Sequence, residues 1–155
     1  MSLRRLLAFL AAFLIMTCAA ALAHAACNVS GVNIGFGGYD PLSVAPSTSV
    51  GSITVTCDQS PPPTVTIQLG PSATNGGFAP RELRLAGGSD VLNYNLYIDP
   101  GGLQVWGDGS PGTAVLTRRV QKNNPWTATV YARIPAAQDV TVGSYADALS
   151  ITIQF

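Results

Sequence analysis

Short runs in which apolar and polar residues alternate fill most of the chain after residue 26. Alternation with a period of two is typical of a β-strand that buries one face. Segments rich in Gly, Pro, Asn and Asp separate the runs, and these residues favour turns. Many short strands at this spacing predict an all-β sandwich, and no segment keeps a helical period. The predicted strands are residues 32–36, 52–57, 64–69, 82–85, 92–98, 126–134 and 147–155.

The last run carries an uninterrupted alternation to the final residue. Leu149, Ile151, Ile153 and Phe155 are apolar, and the residues between them are polar. An immunoglobulin-type sandwich completes one sheet with a further strand, and no run for that strand follows. We therefore expect an incomplete immunoglobulin-like β-sandwich with an open edge and a groove over its core. A bare edge with an apolar face invites pairing with another chain, and a donor strand from a partner would complete it.

The first 25 residues follow the order of a secretory signal peptide. Arg4 and Arg5 precede an apolar run, and small residues then lead to a cleavage point predicted after Ala25. The apolar run is shorter than the roughly 20 residues of a transmembrane helix. Removal of 25 of the 155 residues leaves 130, so residues 26–155 are expected to form one exported domain without a transmembrane segment.

Composition argues against several classes of function. Cleavage would remove two of the eight basic residues and no acidic residue, which leaves a net charge of about −2 and no basic face for nucleic acid. The only histidine, His24, lies in the predicted leader, so the mature chain lacks the base of Ser-His-Asp and Cys-His catalysis. Most aspartates stand in turn contexts, where a structural role is favoured over a glycosidase pair. We predict no enzyme activity, no cofactor and no metal.

Two cysteines, Cys27 and Cys57, remain in the predicted mature chain. An even pair in an exported protein predicts a disulfide, with two free buried thiols as the alternative. The loop-closure argument for 30 positions gives a stabilisation of about 3–4 kcal/mol. The parity of the apolar positions changes at Gly31, which predicts a β-bulge or a bend there.

Three aromatic residues are candidates for contact with surfaces or sugars. Trp106 follows a short apolar stretch, Trp126 opens a predicted strand, and Tyr39 stands in a Gly-rich turn. Exposed aromatic rings stack on sugars, whereas buried rings pack in the core. We favour core packing for both tryptophans and leave Tyr39 open.

Several stretches together resemble the spore coat protein U domain family, which includes the subunits of archaic chaperone–usher pili. The most specific elements are "YDP", "YNLY" and "WGDG", which begin at Tyr39, Tyr94 and Trp106. The remaining matches are "CNVSGVNIGFGG", "GSITVTC", "RELRL" and "TVYARIPAAQDVTVGSYADALSITIQF".

The resemblance implies an incomplete immunoglobulin-like fold that a periplasmic chaperone caps and an outer-membrane usher assembles with other fibre subunits by donor-strand exchange. The positions of Cys27 and Cys57 match the cysteine pair of the family. The final strand, residues 145–155, would then be the docking edge, with Leu149, Ile151, Ile153 and Phe155 facing the groove. Family members serve surface adhesion, biofilm formation or spore-coat assembly.

One feature departs from the pattern of a main-shaft pilin. A chain cut after Ala25 has only Ala26 before Cys27, and so lacks the alternating N-terminal extension that would serve as a donor strand. We therefore expect a tip or minor subunit of the fibre. The alternative is a self-sufficient secreted β-sandwich that binds surfaces or glycans through its loops.

Overall fold

The computed structural model describes residues 27–31 and 34–155, so the predicted signal peptide lies outside the described residues. Over these residues the chain forms β-strands and no helix, which confirms the all-β prediction. Accordingly, none of the described segments is a helix that could cross a membrane. The strands are β1 (Cys27–Ser30), β2 (Ser47–Cys57), β3 (Thr64–Leu69), β4 (Arg81–Leu85), β5 (Val91–Tyr97), β6 (Leu116–Arg119), β7 (Trp126–Ile134), β8 (Tyr145–Ala146) and β9 (Ile151–Gln154).

The strands form two antiparallel sheets. The larger sheet has the order β1-β2-β7-β5-β4-β8, and the smaller one has the order β6-β3-β9. Strand β7 shows why this arrangement forms, because every second side chain from Trp126 to Ile134 is buried. Strand β3 does the same with Val65, Ile67 and Leu69. The inward faces of both sheets contribute to a single hydrophobic core, as expected for a sandwich.

The predicted disulfide is confirmed at the edge of the larger sheet. Cys27 and Cys57 are register partners on β1 and β2, and their sulfur atoms are 2.05 Å apart. Strand β1 ends at Ser30, and Gly31 follows with a φ of +76°, a conformation that glycine adopts at little cost. This residue turns the chain out of the ladder at the position where the change of parity predicted a bend.

Three strand predictions need correction. The predicted strand at 32–36 is absent where the chain is described, because residues 34–40 run without ladder partners after the turn at Gly31. Strand β2 begins at Ser47 rather than at residue 52, because its polar first half pairs with β7 up to Ile134. Strand β6 was not predicted, because three of its four residues are exposed and it shows no apolar alternation.

Candidate functional site

The predicted final strand is two short strands with different partners. Strand β8 pairs with β4 in the larger sheet, and β9 pairs with β3 in the smaller sheet. The link between them is held by hydrogen bonds from Ala73 N to Ala148 O (3.3 Å) and from Gly70 N to Ser150 O (2.8 Å). The prediction of one continuous strand over residues 145–155 is therefore wrong, because the chain passes from one sheet to the other between residues 147 and 150.

The bond between Gly70 and Ser150 determines which backbone groups of β9 are free. In an antiparallel ladder, hydrogen-bonded and non-hydrogen-bonded pairs alternate. Since Gly70 and Ser150 bond to each other, Gln68 and Thr152 form the next bonded pair, and Leu69 and Ile151 do not. The N–H and C=O groups of Ile151, and likewise of Ile153, therefore point away from β3. Within the described residues no strand pairs with that side of β9.

The predicted docking side chains lie along this segment, with one difference at its end. Leu149, Ile151 and Ile153 are half-buried and pack against the core, whereas the polar residues between them are exposed. Phe155 lies beyond the last ladder pair and is 53 % exposed. The structure thus places Ile151 and Ile153 on the core side of the edge strand β9, and Leu149 packs against the core from the link before it.

An open groove separates this segment from the chain that follows β1. Ile34 and Phe36 line one wall, and Leu149 and Ile151 line the other. Its volume is about 230 Å³, and the core residues Ile53, Leu96 and Val130 are among those that line it. We call this feature the groove.

A second cavity of about 670 Å³ shares a border with the groove. It lies between residues 34–41 and residues 140–147, and Ile34, Phe36, Leu83 and Asp147 line both spaces. The two cavities therefore form a cleft that follows the final segment from β8 towards β9.

Asp147 is an acidic side chain on the lining of both cavities, and it stands where the chain changes sheets. Its Oδ2 accepts a hydrogen bond from the Tyr94 hydroxyl at 2.7 Å, and its Oδ1 accepts bonds from the N–H groups of Ala73 (3.1 Å) and Ala148 (2.9 Å). Burial, and then the bond to Asp147, raises the pKa of Tyr94, so its hydroxyl stays protonated as a donor. The ring of Tyr94 packs edge-on against Phe36 at 5.9 Å.

Arg81 is the structurally important residue that sequence analysis missed. It is fully buried, and its guanidinium donates to Trp106 O (2.7 Å), to Gly70 O (3.0 Å) and to Asn95 Oδ1 (3.1 Å). Burial lowers its pKa. Arg81 lies two and four residues before Leu83 and Leu85, so its side chain is on the same, apolar face of β4. This position in the sequence indicated that Arg81 is buried.

Two of the three aromatic candidates are buried. Trp106 is fully buried and Trp126 is 7 % exposed, so a surface-contact role is wrong for both, and the favoured core packing is confirmed. The Trp106 Nε1 donates to Ile67 O at 3.1 Å, which joins the sheets. Tyr39 is half-buried, and its hydroxyl donates to Pro135 O (3.0 Å) and accepts from Gln138 N (2.8 Å).

Three aspartates in turn contexts bind loops: Asp99 and Asp108 bind their own loops, and Asp90 binds a loop that is distant in sequence. Asp99 accepts the N–H groups of Leu103 and Gln104, Asp108 accepts that of Ser110, and Asp90 binds Thr141. Hydrogen bonds to these partners lower the pKa of each carboxyl. In the part of the chain that the structure describes, no group of three or more potential metal ligands comes together.

Comparison with known proteins agrees with this architecture. A sequence model of the Spore Coat Protein U domain matches residues 13–152. Protein U of Myxococcus xanthus is 32 % identical over 142 residues, which cover 84 % of this chain and 78 % of that protein.

Two solved structures share the fold at low sequence identity. One is a chain of the CsuC–CsuE chaperone–tip adhesion subunit pre-assembly complex from the archaic chaperone–usher Csu pili of Acinetobacter baumannii, with a TM-score of 0.58 and 16 % identity. The match covers 84 % of this chain and only 40 % of that one. The other is the P pilus rod subunit PapA, with a TM-score of 0.53 and 19 % identity, covering 83 % of this chain and 97 % of that one.

Proposed function

The chain belongs to the spore coat protein U domain family, and from this premise we propose that it is a secreted structural subunit completed by a strand from another chain. The fibre or coat that it builds is of the chaperone–usher type. The observation that carries the proposal is the free edge of β9 beside the groove. An added strand gains main-chain hydrogen bonds from the edge and apolar burial from the groove.

The geometry of the edge specifies what the incoming strand must offer. Ile151 and Ile153 present two N–H and two C=O groups, which a partner strand satisfies in one extended stretch. The groove between Phe36 and Leu149 lies beside these groups and accepts side chains from every second position of that strand. A donor with alternating bulky apolar residues therefore fits, and a uniformly polar strand leaves the groove unfilled.

The partners follow from this proposal. A periplasmic chaperone supplies the first strand, and another fibre subunit replaces it during assembly at an outer-membrane usher. Residues 1–25 act as the signal peptide and residues 26–155 as the single domain that reaches the cell surface. There the subunit serves adhesion or biofilm formation in a structural, non-catalytic role. The tip or minor position expected from the sequence stays a prediction, which immunogold labelling of fibres would test.

The proposal is tested by exporting the full chain alone and together with a chaperone encoded beside its gene, and by comparing the amount of soluble protein. We expect aggregation or proteolysis of the chain alone and recovery of a soluble complex with the chaperone. The double variant Ile151→Asp/Ile153→Asp should lose chaperone capture, because charge enters the half-buried face of β9. The matched control is Thr152→Asp, whose side chain is exposed on the same strand and which should be captured normally.

The alternative of a self-sufficient sandwich makes the opposite prediction. A soluble monomer that is stable alone and ignores both the chaperone and an alternating apolar peptide would refute the proposed function. Loop binding through Trp106 and Trp126 has no support, because both rings are buried.

A further inference from the structure

The outer face of the larger sheet carries a second candidate site, which shares no lining residue with the groove. Tyr97 on β5 and Tyr131 on β7 are register partners, and Val50 on β2 is the partner of Tyr131 on its other side. These residues and Arg133 line a cavity of about 400 Å³, within the range of small-ligand sites. We call Tyr97, Tyr131 and Arg133 the tyrosine platform.

The position of the platform follows from the alternation of β7. Val130 and Ala132 are buried in the core, so Tyr131 and Arg133 project from the opposite face of the sheet. Tyrosine combines an apolar ring with a polar hydroxyl, so a half-buried pair on the outer face offers a surface for stacking and two groups for hydrogen bonds.

The polar groups of the platform have no partner within the described chain. The other three tyrosines, Tyr39, Tyr94 and Tyr145, each donate a hydrogen bond, to Pro135 O, Asp147 Oδ2 and Thr141 O respectively. In the described residues, neither platform hydroxyl makes a hydrogen bond, and the Arg133 guanidinium donates none.

A turn that runs from Asp99 to Gly102 closes one rim. Gly102 has a φ of +68°, and a Cβ atom there would lie 3.6 Å from the Tyr97 ring and 3.7 Å from Arg133 Nη1. Asp99, at the start of this turn, also borders the cavity. Its carboxylate already accepts N–H groups of Leu103 and Gln104, whereas the charge of Arg133 is not engaged.

We infer that the tyrosine platform binds a carboxylate-bearing sugar residue of an acidic polysaccharide. The apolar face of the sugar ring lies on the tyrosine rings, and the Arg133 guanidinium takes the carboxylate in a two-point hydrogen bond. The phenol hydroxyls bond the sugar hydroxyls. Arginine suits this task because its planar donors match a carboxylate. This binding goes beyond the proposed function and does not depend on strand addition at the groove.

Calorimetry tests the inference. The full chain, in the form in which it is produced, is titrated with an oligogalacturonate. The comparison probe is a neutral glucose oligomer of the same length. We expect the acidic oligomer to bind at least about tenfold more tightly, because only it engages Arg133. Arg133→Gln should weaken binding by about tenfold, and Tyr131→Leu should weaken it by a factor of about five through loss of ring stacking. Near-ultraviolet circular dichroism checks that each variant is folded.

Arg118→Gln is the matched control, because it removes the same charge from the exposed strand β6 of the other sheet. It should leave binding unchanged. Equal loss in Arg118→Gln and Arg133→Gln would overturn the inference, because it would indicate general charge attraction. Absence of oligogalacturonate binding, or equal binding of the neutral oligomer, would overturn it as well. Binding to vesicles with anionic phosphate headgroups is a third check. Tight binding to them that Tyr131→Leu leaves intact would also overturn the inference, because the site would then recognise negative charge without a sugar ring.

Discussion

Replacement of Arg81 by Met tests the role of the buried guanidinium and of the hydrogen bonds that it donates. Methionine keeps an unbranched side chain of similar length but removes every donor. The backbone oxygens of Trp106 and Gly70 then lose their bonds to the guanidinium, and Asn95 Oδ1 keeps only its bond from the Leu96 N–H. Each buried acceptor without a donor costs about 1–3 kcal/mol.

The net loss is smaller than the sum of these costs. The substitution also removes a charge whose burial opposes folding, and this desolvation penalty amounts to several kcal/mol. We therefore expect Arg81→Met to lower the free energy of unfolding by about 2–4 kcal/mol. Arg84→Met is the control on the same strand, where the side chain is exposed, and its effect should stay within about 0.5 kcal/mol.

Urea denaturation of the disulfide-bonded chain, followed by tryptophan fluorescence, measures this difference. Both tryptophans are buried, so unfolding changes their emission. A saturating strand peptide can be present throughout, because a ligand of the folded state raises the stability of both variants by the same amount when its affinity is unchanged. An Arg81→Met protein as stable as the parent, or more stable, would refute the view that these oxygens depend on Arg81.

Three further predictions concern the core and the titrating groups. Trp106→Ala should lower the free energy of unfolding by about 3–5 kcal/mol in the same denaturation assay, because a fully buried ring and its bond to Ile67 O are lost. Tyr94 has a raised pKa in the folded state, so the free energy of unfolding should fall as pH rises above about 10, where tyrosine ionises in the unfolded chain, by at most about 1.4 kcal/mol per pH unit. Tyr94→Phe should flatten that slope. An unchanged slope would contradict the raised pKa of Tyr94. Asp99 has a lowered pKa in the folded state, so its contribution to stability is present above its unfolded pKa near 4 and is lost as pH falls through its folded pKa. In thermal melts, the melting temperature of Asp99→Asn should depend less on acid pH than that of the parent. Identical profiles of melting temperature against pH would contradict this.

The strands that sequence analysis located well are those whose alternation is driven by burial alone. The predicted ranges of β3 and β7 agree with the structure residue for residue, because each strand buries every second side chain. The disulfide was predictable because removal of the predicted signal peptide would leave two of the three cysteines, and these two have one possible pairing.

The remaining features depend on partners that are distant in sequence. The first half of β2 is polar and is held as a strand by its pairing with β7. The alternation from Leu149 to Phe155 gives no sign that Tyr145 and Ala146 pair in the other sheet, because a pattern of period two carries no information about which strand lies alongside. The groove likewise forms because Phe36 and Leu149, which are distant in sequence, line the same space, and no local pattern specifies this.

The most direct test of the central claim is amide hydrogen exchange of β9 in the full chain, with and without an alternating apolar strand peptide. Before the peptide is added, the amides of Ile151 and Ile153 should exchange faster than that of Thr152, because only Thr152 donates towards β3. Saturation with the peptide should bring the exchange of Ile151 and Ile153 down to the rate of Thr152. Amides at Ile151 and Ile153 that are already as protected as Thr152, or that stay fast with the peptide bound, would contradict the claim that β9 is an edge open to a donor strand.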